Sequence, residues 1–82
     1  MMGHFYFNLR AGDQLIPDLE GQDLPDVSAA RREAILSARE ILGAAIRAGQ
    51  AKVPDAFVIL DEAGRTLDTV PLAEVLPVAL KK

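Results

Sequence analysis

The sequence predicts an α+β protein of two layers, in which a small antiparallel sheet of chain order β-β-α-β-β carries one long helix on one face and a short C-terminal helix. Two observations predict this fold. Apolar and polar side chains alternate over residues 4–10, which is the period of a strand. Apolar residues then recur at helical spacing between Asp26 and Gly49, and shorter apolar segments lie on both sides. Half of the 82 residues are apolar, which suits a single domain over residues 1–82.

The first strand places two rows of side chains on opposite faces of the sheet. The row expected to face the helix consists of Phe5, Phe7 and Leu9. The other, here called the polar row, consists of His4, Tyr6, Asn8 and Arg10. Because one helix covers only one face of a sheet, the polar row is expected to meet solvent, the C-terminal tail or another subunit.

The next segments predict a hairpin followed by a loop. Residues 11–13 have turn chemistry, and residues 14–16 can return as a second strand. Pro17 removes a backbone donor, so this strand is expected to be short or at an edge. Residues 18–26 are rich in carboxylates, glycine and proline, and we expect an ordered loop that Leu19 and Leu24 anchor to the core.

The long helix is predicted to start at the N-cap Asp26 and to end at Gly49. The centre of its apolar face is rich in alanine, which lets a helix lie close to a sheet. The larger residues that flank this centre are Ile35, Leu42 and Ile46. Arg31 projects into this face near the helix start and is expected to pair with a loop carboxylate such as Asp23.

The C-terminal third predicts a second hairpin and a short helical tail. Residues 57–60 form an interior strand, residues 61–65 a loop with Gly64 in the left-handed conformation, and residues 66–70 the last strand. Pro71 then opens the tail. Its apolar residues are Leu72, Val75, Leu76, Val78 and Leu80. These are expected to pack within the chain, and the alternative is a subunit interface.

Composition excludes several classes of function. The chain has no cysteine and one histidine, which excludes disulfides, thiolate zinc sites and cysteine nucleophiles and makes a transition-metal site improbable. Phosphate-loop and dinucleotide motifs are absent. The acidic residues of the loop lack the spacing of a calcium loop, and turn formation with helix capping explains them. We therefore predict no catalytic residues, no metal site and no cofactor, and a protein that is not an enzyme.

Charge and hydropathy bound the partners and the location. Twelve acidic against nine basic residues argue against nucleic-acid binding driven by total charge. The sequence contains neither a signal peptide nor a membrane-spanning segment, so a cytoplasmic location is expected. Because the core is small and mainly aliphatic, we expect a homo-oligomer, whose interface would bury further apolar surface.

Two surfaces are candidates for binding. The polar row could hold a polar or anionic ligand or a partner's backbone, although alternation alone also predicts an ordinary wet face. The second surface is the arginine stripe on the back of the helix, formed by Arg32, Leu36, Arg39, Gly43 and Arg47. None of its arginines has an acidic residue three or four positions away. It could dock an acidic partner or phosphates with Leu36 as an apolar anchor, or be a solvated face whose arginine stems cover apolar neighbours.

The sequence also resembles a family of small proteins, a domain of unknown function abundant in alphaproteobacteria, particularly rhizobia and their relatives. The resemblance lies in the segments His4 to Arg10, Gly12-Asp13, Ile16-Pro17-Asp18, Glu20-Gly21, Leu24-Pro25-Asp26, Ala34, Ala38-Arg39-Glu40, Asp61-Glu62 and Gly64-Arg65. It implies a bacterial cytosolic protein and no particular activity. In its aromatic first strand, hairpin, acidic turn and alanine-rich helix the chain resembles, more loosely, the small antitoxins that neutralise RNA-cleaving toxins. That likeness concerns the fold and partner binding only.

These observations predict a non-enzymatic interaction module that binds a protein partner or associates with itself. The polar row and the arginine stripe are the two surfaces through which it would do so. The alternative is a domain that binds a small ligand or nucleic acid through Tyr6, Asn8 and Arg10.

Overall fold

The computed structural model describes residues 2–50 and 52–76. The elements in chain order are β1 (Gly3–Ala11), β2 (Gln14–Ile16), β3 (Gln22–Leu24), α1 (Val27–Ala48), β4 (Ala56–Leu60), β5 (Thr66–Pro71) and a 3₁₀ helix (Leu72–Val75). The predicted α+β fold is confirmed, with an antiparallel sheet, one long helix and a short helical turn after the last strand.

The sheet is built around β1, which pairs with β4 along one edge and with two short strands along the other. The main order is β2-β1-β4-β5, and β3 pairs with the beginning of β1 while β2 pairs with its end. β3 was not predicted, because it lies in residues 18–26, which the sequence indicates as a loop. The predicted hairpin of β1 and β2 and the hairpin of β4 and β5 are both confirmed.

The core lies between the sheet and α1, as the alternation in β1 predicts. Phe5 is buried, and Phe7 and Leu9 are partly buried against the same cluster. The buried residues of α1 are Ala30, Ala34, Ala38, Leu42 and Ala45. Because four of these five are alanines, the helix backbone can approach the sheet closely, and every buried methyl group contributes to the apolar area removed from water.

Both ends of α1 are capped as predicted. The Asp26 carboxylate accepts a hydrogen bond of 2.8 Å from the backbone N–H of Ala29. Gly49 has φ of 69°, and the N–H groups of Gly49 and Gln50 donate to the carbonyls of Ile46 and Ala45. This pair of bonds is a Schellman motif, which needs a left-handed residue and so favours glycine.

Two expected core contacts are wrong. Leu19 is 86% exposed, because it lies at the corner of a tight turn in which Asp18 holds the N–H groups of Glu20 and Gly21. Ile46 is 65% exposed, because it lies in the last turn of α1, beyond Leu42 and Ala45, the last buried residues of the helix. Leu24, in contrast, packs against the core as predicted.

Arg31 has different partners from the one expected. Its guanidinium lies 2.8 Å from Asp68 in β5 and 3.8 Å from Glu74 in the 3₁₀ helix. The predicted partner, Asp23, contacts His4 instead. Arg31 therefore ties the start of α1 to the last strand and not to the acidic loop.

The described part of the apolar tail packs against the core. This confirms, for residues 72–76, the prediction that the tail packs within the chain. Leu72 is 1% exposed, and Val75 and Leu76 lie against the core cluster. Val78 and Leu80 lie outside the described residues.

Candidate interaction surfaces

His4, the first member of the polar row, is held by two acceptors. Its Nδ1 lies 2.6 Å from a carboxylate oxygen of Asp23, and its Nε2 lies 2.8 Å from the carbonyl oxygen of Glu20. Since both partners only accept, both contacts form together when both ring nitrogens carry a proton. The hydrogen bond to Asp23, followed by the one to Glu20, raises the pKa of His4 above its usual value. His4 therefore fastens the acidic loop to β1.

Asn8, the third member, is buried and also has a structural role. Phe5 pairs with Gln22 and Leu9 pairs with Ile16, so three residues of β1 lie opposite the five residues 17–21 that connect β2 and β3, here called the bulge. The Asn8 side-chain oxygen accepts from the N–H of Asp18 at 2.9 Å. This bond replaces part of the interstrand ladder that the bulge interrupts.

Asp18 also binds β1 in the opposite direction, through its side chain. Its carboxylate accepts a hydrogen bond of 3.1 Å from the N–H of Phe7 and further bonds from Glu20 and Gly21. Burial by itself raises the pKa of Asp18, but the N–H groups of Phe7, Gly21 and Glu20 together hold that pKa below its usual value. The carboxylate stays ionised near neutral pH and closes the bulge.

The remaining members of the polar row, Tyr6 and Arg10, are not used in this way. The ring of Tyr6 stands edge-on to His4 with 5.0 Å between the centroids. Arg10 is exposed, and its side chain forms no hydrogen bond or ion pair within residues 2–50 and 52–76, while its backbone carbonyl accepts a hydrogen bond of 2.7 Å from the N–H of Asp55. The structure thus divides the polar row into His4 and Asn8, which hold the loop, and the partly buried Tyr6 and exposed Arg10, which do not.

The acidic loop offers little to a metal ion. Asp18 binds backbone donors, Asp23 binds His4 and Asp26 caps α1. Within residues 2–50 and 52–76 no cluster of three His, Asp or Glu side chains is placed to hold a metal. The carboxylates act in turn formation and capping, as the sequence interpretation favours.

The arginine stripe lies on the solvent side of α1. Arg32, Arg39 and Arg47 are exposed, and Leu36 is 51% exposed. A shallow depression of about 280 Å³ is lined by Arg32, Ile35, Leu36 and Arg39. Among the described residues these arginines form no ion pair, whereas Arg31 and Arg65 do.

The structure also brings out a surface that the sequence interpretation did not single out. Residues 13–20, here called the edge segment, comprise β2 and the turns beside it. Three of its side chains are exposed large aliphatics: Leu15 (54%), Ile16 (50%) and Leu19 (86%). The signal in the sequence was Pro17, which indicated that this strand is short or at an edge.

The comparisons with known proteins place the chain in a family. Within the described residues, no helix has the length and apolar character needed to cross a membrane. No curated protein matches the chain, and no solved structure does. A family described as a domain of unknown function, DUF6894, matches residues 4–73, which include the polar row and the arginine stripe. This agrees with the resemblance to a small domain of unknown function, whereas the alphaproteobacterial origin and the likeness to antitoxins stay predictions. The chain belongs to the DUF6894 family.

Proposed function

We propose that this chain is a non-enzymatic interaction module that binds a protein partner through the arginine stripe. The main observation is the surroundings of Leu36. This half-exposed leucine lines a depression together with Arg32 and Arg39, and neither guanidinium has an acidic partner among the described residues. An apolar anchor between unpaired arginines is the chemistry that protein interfaces favour.

The charge of the stripe defines the partner. The whole chain has a net charge of −3, so total charge does not attract acidic molecules to it. The attraction is local, and guanidinium groups bind carboxylates in pairs of parallel hydrogen bonds. We therefore expect a partner segment that presents Asp or Glu on both sides of a large apolar side chain.

The state of the polar row supports this choice of surface. His4 and Asn8 form hydrogen bonds within the chain, so a ligand would have to break contacts that hold the acidic loop. Tyr6 and Arg10 alone form a smaller surface. A small-ligand or nucleic-acid function based on Tyr6, Asn8 and Arg10 is supported less well for this reason.

The test is a selection of random peptides by display on the purified protein, followed by affinity measurements on the selected peptides. The variant Arg32→Glu/Arg39→Glu reverses the charge beside Leu36. The matched control, Arg10→Glu/Lys52→Glu, makes the same change in net charge at exposed residues away from α1. Since exposed charge pairs contribute modestly, we expect the stripe variant to bind at least about tenfold more weakly and the control to bind like the wild type.

Two results would contradict the proposal. Selected peptides without an excess of acidic residues would show that the arginines of the stripe do not determine which peptides bind. Equal affinity for the wild type and the Arg32→Glu/Arg39→Glu variant would show the same.

A loss confined to the control variant would move the binding surface to the polar row through Arg10. The change Leu36→Ser provides a further check, because it removes the anchor without altering the charge.

A further inference from the structure

We propose that the partner of the arginine stripe is a second copy of this chain, which docks through its edge segment. The inference rests on the proposed function and names the partner. The edge segment contains Asp13, Asp18 and Glu20 and no basic residue. Along the chain, its exposed aliphatic side chains lie between these carboxylates, which is the order of groups that the stripe requires. Leu15 points to the face of the sheet that carries Arg10, and Ile16 points to the other face.

The exposure of the edge segment follows from where α1 packs. The helix lies against β3, β4, β5 and the 3₁₀ helix, and β2 is at the far end of the strand order. Leu15 and Ile16 of β2 are therefore left at least half exposed, and Leu19 is turned outward at the next corner. Groups of exposed aliphatic side chains on a small protein indicate a contact surface more often than single ones do.

The charges of the edge segment are available for a partner. Asp13 and Glu20 are exposed, and neither forms an ion pair among the residues that the structure describes. Asp18 accepts hydrogen bonds from three backbone N–H groups and still adds its negative charge to the segment. Residues 13–20 thus carry three carboxylates and exposed aliphatic side chains, with Arg10 of β1 beside Leu15, and the stripe is basic with an apolar centre.

The two surfaces belong to different parts of the molecule. The stripe is on the side of α1 that faces away from the sheet, and the edge segment is at the edge of the sheet. A contact between them is heterologous, so copies join head to tail and form a closed ring or an open chain.

Extension of the sheet from copy to copy is a poorer alternative. Along β5, Pro71 has no N–H, and the N–H of Thr69 donates to its neighbour Asp68 at 2.8 Å. On the opposite edge, β2 has three residues and is followed at once by Pro17. Few backbone donors are therefore left to pair with a strand of a second copy. The contact between copies therefore has to be formed by side chains.

A mixing experiment tests a head-to-tail contact directly. The Arg32→Glu/Arg39→Glu variant loses the stripe and keeps the edge segment, whereas Leu15→Ser/Leu19→Ser loses the edge segment and keeps the stripe. Serine is used at the edge because lysine there would complement the reversed stripe of the other variant. Masses are measured by sedimentation velocity and light scattering from micromolar to submillimolar concentration, with circular dichroism to check folding.

We expect the wild type to form assemblies larger than a monomer and each variant alone to be monomeric. An equimolar mixture should give a species of two chains, one of each variant, because one intact contact remains and growth then stops. The control is Arg65→Glu, which reverses an exposed charge at the turn between β4 and β5, at the other side of the sheet from β2. It should assemble like the wild type.

A monomeric wild type over this concentration range would overturn the inference, and so would a mixture that remains monomeric. Either failure can be told apart from failure of the proposed function. If the wild type is monomeric yet still selects acidic peptides through Arg32 and Arg39, the stripe binds another protein and only the identity of the partner is wrong.

Discussion

His4 in β1 and Asp23 in β3 are joined by a contact of 2.6 Å between the imidazole Nδ1 and a carboxylate oxygen. The two residues are also direct neighbours in the strand register, so the side-chain bond reinforces the backbone pairing. The carbonyl of Glu20 engages the second ring nitrogen at 2.8 Å. The only histidine of the chain thus holds a short edge strand and the turn before it.

The pH dependence of stability follows from this contact. The hydrogen bond to Asp23, and then the one to Glu20, raises the folded-state pKa of His4 above 6.5. Asp18 and Glu62 also face the ring with negative charge. The folded protein therefore binds this proton more tightly than the unfolded chain does. The resulting stability is fully present below the unfolded pKa and is lost as pH rises through the folded pKa.

Proton NMR of the imidazole ring measures the His4 pKa, and urea unfolding at a series of pH values measures the stability. We expect a titration midpoint above the usual value and an unfolding midpoint that declines over the same pH range. Asp23→Asn should lower the His4 pKa, and His4→Gln should remove the decline. A ring that titrates at or below 6.5 would contradict this prediction.

Gly21 is expected to tolerate no side chain. Its φ is +70°, and a Cβ there would lie 2.6 Å from His4 Nε2 and 2.7 Å from the Phe5 carbonyl oxygen. Gly12 is the control, since its φ is +61° and nothing lies within 4 Å of its Cβ position. Gly12→Ala should cost only the left-handed conformation, about 1–2 kcal/mol, whereas Gly21→Ala should cost about 1–3 kcal/mol more. Equal losses in the free energy of unfolding, measured with denaturant, would show that His4 and Phe5 do not lie this close to Gly21.

Asp18→Ala is expected to destabilise the bulge between β2 and β3. It removes the acceptor for the N–H groups of Phe7, Glu20 and Gly21, and unsatisfied donors cost about 1–3 kcal/mol. Asp13→Ala is the control in the neighbouring turn. Hydrogen exchange gives a specific readout, because the amide of Phe7 should exchange faster in the Asp18 variant alone. Unchanged exchange at Phe7 would mean that the bulge does not depend on this carboxylate.

Ala38 is expected to set the distance between α1 and the sheet. It is fully buried, so Ala38→Leu overpacks the interface and should lower the free energy of unfolding by about 1–3 kcal/mol. Ala44→Leu makes the same change at an exposed helix position and should alter stability by about 0.5 kcal/mol or less. Thermal unfolding compares the two, and similar melting temperatures would mean that the helix does not lie close to the sheet.

Substitution of the neighbouring Arg31 and Arg32 is expected to have different effects on stability and on partner binding. Arg31 is partly exposed and pairs with Asp68, so Arg31→Ala should cost up to about 1 kcal/mol of stability after allowance for solvent screening. Arg32→Ala should leave stability unchanged and weaken only partner binding. A double-mutant cycle with Asp68→Ala isolates the Arg31 pair. An Arg32→Ala variant that unfolds more readily than Arg31→Ala would argue against the assignment of Arg32 to the arginine stripe.

The sequence predicted the elements whose evidence is local. The alternation of β1 and the helical period of α1 are properties of neighbouring residues, and so are the caps at Asp26 and Gly49. β3 was missed because Gln22, Asp23 and Leu24 have little strand propensity and become a strand only by pairing with β1. The partner of Arg31 was missed because Asp68 is far away along the chain and only packing brings it beneath the helix.

The candidate surfaces show the same division. A helical wheel was enough to find the arginine stripe, since residues three, four and seven positions apart share one face of any α-helix. The exposure of the edge segment could not be read from the sequence, because it depends on which strands α1 covers.

Apart from Ile46, which is exposed, sequence periodicity determined which side chains of β1 and α1 face the core layer between sheet and helix, because these periods follow from backbone geometry. Only the tertiary structure decided that the side chains of His4 and Asn8 hold the acidic loop by hydrogen bonds whereas those of Tyr6 and Arg10 do not. Asp23 of β3 and Glu20 of the bulge bind His4, and Asp18 of the bulge binds Asn8. The path of the chain along the sheet edge brings these residues together. Contacts of this kind join residues that are distant in the chain, so no local pattern encodes them.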